Sequence, residues 1–184
     1  MAFKFNIHWN LRDKHAVYGA SKPAWLNYDR DKMKEYYKKS DAKERGTRLH
    51  AWAAETISLG LKQPKSNNTI SMYINDGISY RMTPELVLYH SDTSFGTADT
   101  ISFENGYLRI HDLKTGTGPV HHEQLEIYAA WFCLEYHIRP SDIKIELRIY
   151  QNNKKDIWFP EPERIEEIIS KIYESDEIVK ELKE

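Results

Sequence analysis

An aspartate and a lysine close the run His111-Asp112-Leu113-Lys114, and Thr115-Gly116-Thr117-Gly118 follows at once. On a β-strand, residues two apart point to the same face, so Asp112 and Lys114 share one. Leu108 and Ile110 lie on that face too, which predicts that it is buried. Two chemistries fit an acid and a base so placed. They can form an ion pair that ends a strand. Alternatively, the carboxylate can hold a divalent cation while the lysine steadies a hydroxide or the charge on a phosphate. Asp-x-Lys is a common pattern and by itself favours the ion pair.

A second acid changes the balance. Glu104-Asn105-Gly106-Tyr107 is the strongest hairpin signal in the chain, because Asn-Gly suits a two-residue turn. Each step back from Glu104 then matches one step forward from Tyr107, which sets Asp99 across from Asp112. Opposed side chains have Cβ atoms about 5 Å apart, and like charges there are destabilising. Burying two acids and a lysine together costs several kcal/mol for each ion left unpaired. A bound cation explains the cluster, and hard oxygen ligands suit Mg²⁺ or Mn²⁺.

The elements that must position these groups can be read outward from the hairpin. Ser21-Lys22-Pro23 looks like a helix start, followed by a charged helix over Asp29–Lys39. Asp41 and Glu44 resemble a capping box that opens a further helix ending near Gly60. Leu49, Trp52, Ala53 and Thr56 give that helix a buried face, with His50 at its edge. Strands are expected at Thr69–Ile74, Pro84–His90, Thr97–Phe103, Tyr107–Lys114 and Asp142–Tyr150, with Ile157–Phe159 pairing back. Helices are expected from His121 to Tyr136 and from Glu161 onward. This order predicts an α/β fold with a mixed central sheet flanked by helices. It suits a single domain over residues 1–184, with 161–184 an acidic helical appendage.

Four segments occur in a telling order: GTRLHAWAAE at 46–55, GTAD at 96–99, HDLKTG at 111–116 and QLEIY at 124–128. Together they resemble the RecB-like branch of the PD-(D/E)XK nucleases, which includes phage-type exonucleases and CRISPR-associated adaptation nucleases. The resemblance covers about residues 46–150. It implies a metal-dependent deoxyribonuclease, an exonuclease acting in recombination, repair or phage DNA processing. It implies catalytic roles for Asp99, Asp112 and Lys114. The metal ligands it implies are His50, Asp99, Asp112 and the carbonyl of Leu113, with Gln124 and Tyr128 contacting the DNA backbone or supporting the lysine. One or two Mg²⁺ or Mn²⁺ ions are the implied cofactor, and DNA is the implied partner. Many branch members carry four cysteines for an iron–sulfur cluster; the single Cys133 excludes one here. The chain has no GxxxxGK[ST], so a helicase or recombination partner would be a separate protein. The alternative reading is a non-catalytic DNA- or partner-binding protein that keeps the nuclease fold.

Other candidates have plainer readings. His111 points away from Asp112 and is not expected to be a ligand. His121 and His122 can cap a helix, and Glu55 is structural. Glu85 reads better as an exposed strand-end charge than as an extra acid at the metal. Gly116-Thr117-Gly118 turns the chain from strand to helix. The basic stretch from Arg30 to Arg48, which includes Tyr36 and Tyr37, reads first as a solvated helix face. Net charge is -2, and from Glu161 onward 9 acids face 4 bases, so the remainder of the chain is mildly basic. The opening MAFKFNIHWN lacks the pattern of an export signal and no apolar run is long enough to span a membrane, so the expectation is a cytoplasmic protein without a membrane partner.

Overall fold

A computed structural model describes residues 16–183. The segment MAFKFNIHWN lies outside the described residues. The chain divides into two compact units, one up to Arg45 and one from Gly46 onward.

In the first unit Pro23–Asn27 forms a 3-10 helix. Its cap position is Lys22, with no side-chain capping bond, so Ser21 does not act as the cap. Tyr18, Trp25, Tyr28 and Tyr36 pack ring to ring. Helix α1 is Arg30–Ser58. Asp29 Oδ1 accepts from the Lys32 amide at 2.8 Å. The two helices expected here are therefore one. Asp41 opens nothing; it pairs with Arg45 one turn on, at 3.1 Å. The stop at Gly60 holds, with φ +67 and the Leu61 amide donating to Thr56 O at 3.0 Å.

Residues Thr69–Ile74, expected as a strand, are the first turns of helix α2 (Thr69–Ser79). Asn68 caps it, accepting from the amides of Ile70 and Ser71. The apparent alternation of Ile70, Met72 and Ile74 is half of a helical pattern. Ile70, Tyr73, Ile74 and Gly77 follow helical spacing, and Tyr73 and Ile74 are buried. Gly77 is no turn. A Cβ there would lie 2.9 Å from Ile57 Cδ1, so the glycine lets α1 and α2 touch. Ile57, rather than the exposed Trp52, completes the buried face of α1.

Among the described residues the sheet has five strands in the order β1 to β5: Thr83–Ser91, Ser94–Glu104, Tyr107–Leu113, Lys144–Gln151 and Lys154–Trp158. All neighbours are antiparallel except β3 and β4, which run parallel. Helix α3 (Glu123–Glu135) makes the crossover that a parallel pair needs. The hairpin register is the expected one, from Glu104 opposite Tyr107 to Thr100 opposite His111.

The larger core lies between the sheet and α3, built from Leu88, Leu108, Ile110, Leu125, Ala129 and Leu147. Helix α4 (Pro162–Glu181) adds Ile165 and Ile172 to it. The other face of the sheet meets α1 and α2 through Ala53, Ile57, Tyr73, Ile74, Leu113 and Tyr150. Strand β3 is thus covered on both faces, so Asp112 and His111 are both buried. Among the described residues no helix is long and apolar enough to cross a membrane.

Candidate functional site

The site forms where β3 ends, and each part reaches it for a local reason. Asp99 lies on β2 one residue beyond the last rung of the hairpin ladder, Thr100 opposite His111. Its Oδ2 accepts from the Leu113 amide at 2.8 Å, so the carboxylate takes over where strand pairing stops. His50 arrives on α1, with Nδ1 3.3 Å from the same Asp99 oxygen. One turn earlier is Gly46, where a Cβ would stand 2.9 Å from Thr115 Oγ1. The glycine that opens GTRLHAWAAE therefore lets α1 approach the end of β3.

Glu85 completes a group of three. Its backbone has φ +52, a left-handed conformation that is unusual for a non-glycine residue. It falls between the pairs Pro84–Thr100 and Leu86–Ala98, across from Asp99. Ligand atoms of His50, Glu85 and Asp99 all lie within 4.8 Å of one another. Glu85 is exposed at a strand, as expected, but its carboxylate belongs to this cluster, which corrects its reading as an isolated surface charge. Its acidic type admitted this role, but its spacing did not signal it. Only the β1–β2 register reveals it, and the Asp92-Thr93 connection, with a register shift between Tyr89 and Ser91, gave no turn signal comparable to Asn-Gly.

Asp112 stands beside this group and serves the lysine. Lys114 Nζ donates to Asp112 Oδ1 at 3.1 Å and is 3.0 Å from Oδ2. The second approach is an ion pair without hydrogen-bond geometry, so Oδ2 is buried with no hydrogen bond. Lys114 Nζ also donates to Gln124 Oε1 at 2.7 Å, and Gln124 Nε2 donates to the Tyr128 hydroxyl at 3.3 Å. Gln124 and Tyr128 thus brace the lysine from α3. Gly96 lies under them: a Cβ there would come within 2.7 Å of Trp131 and 3.2 Å of Tyr128. Leu113 is also at the site. Its amide is bonded to Asp99, and its side chain packs in the α1–α2 core.

The electrostatics follow from crowding. Burial raises the Asp112 carboxyl to about 6, the Asp99 charge adds to this, and Lys114 opposes both. Burial, then Asp99, also raises Glu85. The hydrogen bond to Asp99 raises His50 against the opposing effect of burial. Three carboxylates held this close repel one another, and a divalent cation would relieve the repulsion. The donor set fits one. Two carboxylates and an imidazole suit Mn²⁺, and Mg²⁺ where waters complete the shell. Asp112 Oδ2, ion-paired with Lys114 but without a hydrogen bond among the described residues, adds a buried acceptor beside the cluster.

The remaining candidates are engaged elsewhere. His111 lies on the α2 side, with Nδ1 3.4 Å from the Tyr150 hydroxyl, and burial lowers it well below the usual histidine range. His122 pairs with Asp156 at 2.7 Å and stacks on Trp158, while His121 is exposed. Gly116 and Gly118 do not have positive φ. Gln151 Nε2 holds that turn instead, donating to both carbonyls at 2.7 and 2.9 Å. No protein-family model matches the chain, and a comparison with curated proteins finds no relative.

Proposed function

We propose that this protein is a metal-dependent deoxyribonuclease of the PD-(D/E)XK type, close to the RecB-like exonucleases. The observation that carries the reading is the adjacency of two units around Asp99. His50, Glu85 and Asp99 form a cation-sized cluster, and Asp112 and Lys114 form an acid–base pair next to it. The mixed sheet supports it too, with Asp112 and Lys114 at the end of the hairpin's second strand and the Gln124–Tyr128 helix following.

A divalent cation held there would acidify a water and offset charge on the scissile phosphate. The chain's own groups supply the rest. His50, Glu85 and Asp99 would hold the ion, and Asp99 remains fixed by the Leu113 amide. Lys114 Nζ, steadied by Asp112 and Gln124, is the donor for the negative charge that develops on the phosphate oxygens. Tyr128 keeps Gln124 turned toward the lysine.

The test is degradation of end-labelled linear, circular and single-stranded DNA with Mg²⁺ or Mn²⁺, for the wild type and Asp112→Ala. Cleavage that needs metal and is lost in the variant is expected. If both proteins are inert with every metal and DNA form, the reading fails. Metal-independent DNA binding without cleavage would leave a non-catalytic binding protein.

A further inference from the structure

One stretch of sheet leads away from the cluster with its apolar side chains in solvent. On β1, Glu85, Val87 and Tyr89 alternate on the face opposite the α3 core, where Leu86 and Leu88 pack. On β2, Phe95 is paired with Tyr89 and Thr97 with Val87, so they share that face. Helix α2 packs on β3 and β4, farther along the sheet. Val87 is 53% exposed, Tyr89 47% and Phe95 56%. The Tyr89 and Phe95 rings are 6.4 Å apart and tilted by 31°. Four residues of strand separate Tyr89 from Glu85, about 13 Å at a strand's rise.

Three large apolar side chains side by side in water mark an interaction surface. Its chemistry narrows the occupant. The segment from Thr83 to Asp99 carries no Lys or Arg, and Asp92 Oδ1 accepts from the Tyr89 hydroxyl at 2.9 Å, so the segment itself supplies no cation to a phosphate. It offers two ring faces and a β-branched side chain, which suit the faces of planar bases. In a duplex those faces are stacked inside and out of reach. The strip ends at the carboxylate cluster, so a chain lying along it would have its next phosphate delivered to that cluster.

Given the nuclease reading above, on which this step rests, we propose that Tyr89, Phe95 and Val87 form a base-stacking platform that seats single-stranded DNA against the His50–Glu85–Asp99 cluster. The strand preference of the site is then for single strands or frayed ends. Unpaired bases lie on the rings while the backbone passes to the acids.

The experiment measures fluorescence anisotropy of a labelled oligothymidine and of a blunt duplex of equal length. Ca²⁺ serves as the divalent ion, and the proteins are wild type, Tyr89→Ala, Phe95→Ala and Tyr89→Phe. Mn²⁺ titration by calorimetry and cleavage in Mg²⁺ or Mn²⁺ are read in parallel, and sedimentation reports the oligomeric state. The expected result is single-strand binding well above duplex binding and weakened about tenfold by each alanine. Tyr89→Phe should preserve it, and Mn²⁺ binding should be unchanged throughout. Equal binding of duplex and single strand, alanine variants that bind like wild type, or a dimer that the alanine variants dissolve would overturn the platform. Cleavage that survives both alanine substitutions undiminished sinks the platform and leaves the nuclease reading standing. Ring-dependent single-strand binding without cleavage does the reverse.

Discussion

Asp99 Oδ2 receives the Leu113 amide at 2.8 Å, so one carboxylate oxygen replaces the strand partner that β3 would otherwise have at that residue. The same oxygen is 3.3 Å from His50 Nδ1. Asp99 is therefore both a structural closure of the hairpin and the centre of the cluster. Its two roles can be separated, because an amide side chain can still accept a hydrogen bond while carrying no charge.

Asp99→Asn should fold, since the carboxamide oxygen can keep the Leu113 bond and the repulsion toward Asp112 and Glu85 falls. Mn²⁺ affinity should drop more than about a hundredfold, beyond the range typical of losing an outer-shell partner. Calorimetric titration beside a denaturant melt checks both halves. A variant that binds Mn²⁺ like the wild type removes Asp99 from the ligand set.

Asp112 makes the metal-free protein sensitive to pH. Its folded carboxyl is raised from 3.8 to about 6, chiefly by burial. A raised acid is favoured when protonated. Its contribution is full below the unfolded value and is lost as pH climbs through about 6. The linkage amounts to roughly 3 kcal/mol at most. In EDTA, denaturant stability should therefore fall between pH 4 and pH 7 by more in the wild type than in Asp112→Asn. Saturating Mn²⁺ should flatten the difference, because a cation nearby favours the ionised acid. Identical pH slopes for the two proteins would contradict the assignment.

How much of this was legible in the sequence depends on the range of the interaction. The Asn105-Gly106 turn is local, and its chemistry alone placed Asp99 at Asp112. Helical spacing placed Gln124 over Tyr128. The β1–β2 connection carries no such turn, so Glu85, weighed as an extra acid, could not be set beside Asp99 until the register was known. The strand expected at Thr69–Ile74 failed for another reason. A short apolar stretch can fit both periods, and Asn68 as a cap, together with burial of Tyr73 and Ile74 against α1, decided for helix. Gly46 and Gly96 look like motif filler, yet each marks a close approach by a residue far along the chain, Thr115 or Trp131.

The brace on Lys114 should affect turnover rather than metal binding. Gln124→Ala removes the 2.7 Å acceptor and frees Lys114 Nζ to follow Asp112 alone. A loss of about 1.5–3 kcal/mol for a bond to a charged group corresponds to a fall in kcat of about ten- to a hundredfold. Tyr128→Phe removes only the weaker 3.3 Å contact and should cost a few-fold. Single-turnover cleavage gives the rates, and Mn²⁺ titration should show unchanged affinity. An affinity loss equal to the rate loss would mean that the pair holds the ion's surroundings instead.

Gly46 offers the sharpest test of how α1 is seated. An added methyl would lie 2.9 Å from Thr115 Oγ1, closer than Cβ contacts normally come. Gly46→Ala has an intrinsic gain in helix propensity of about 1 kcal/mol. The clash should outweigh it, costing about 1–3 kcal/mol in a packed contact. The shift would carry His50, one turn on, away from Asp99, so Mn²⁺ affinity should fall with stability. Thr115→Ala removes the obstructing hydroxyl. In the double variant the propensity gain should re-emerge, with stability at or above the Thr115→Ala level and Mn²⁺ binding restored. A double-mutant cycle by denaturant melts should return a coupling of at least about 1 kcal/mol. Additive effects would show that α1 does not seat against Thr115, and that His50 owes its position to other contacts.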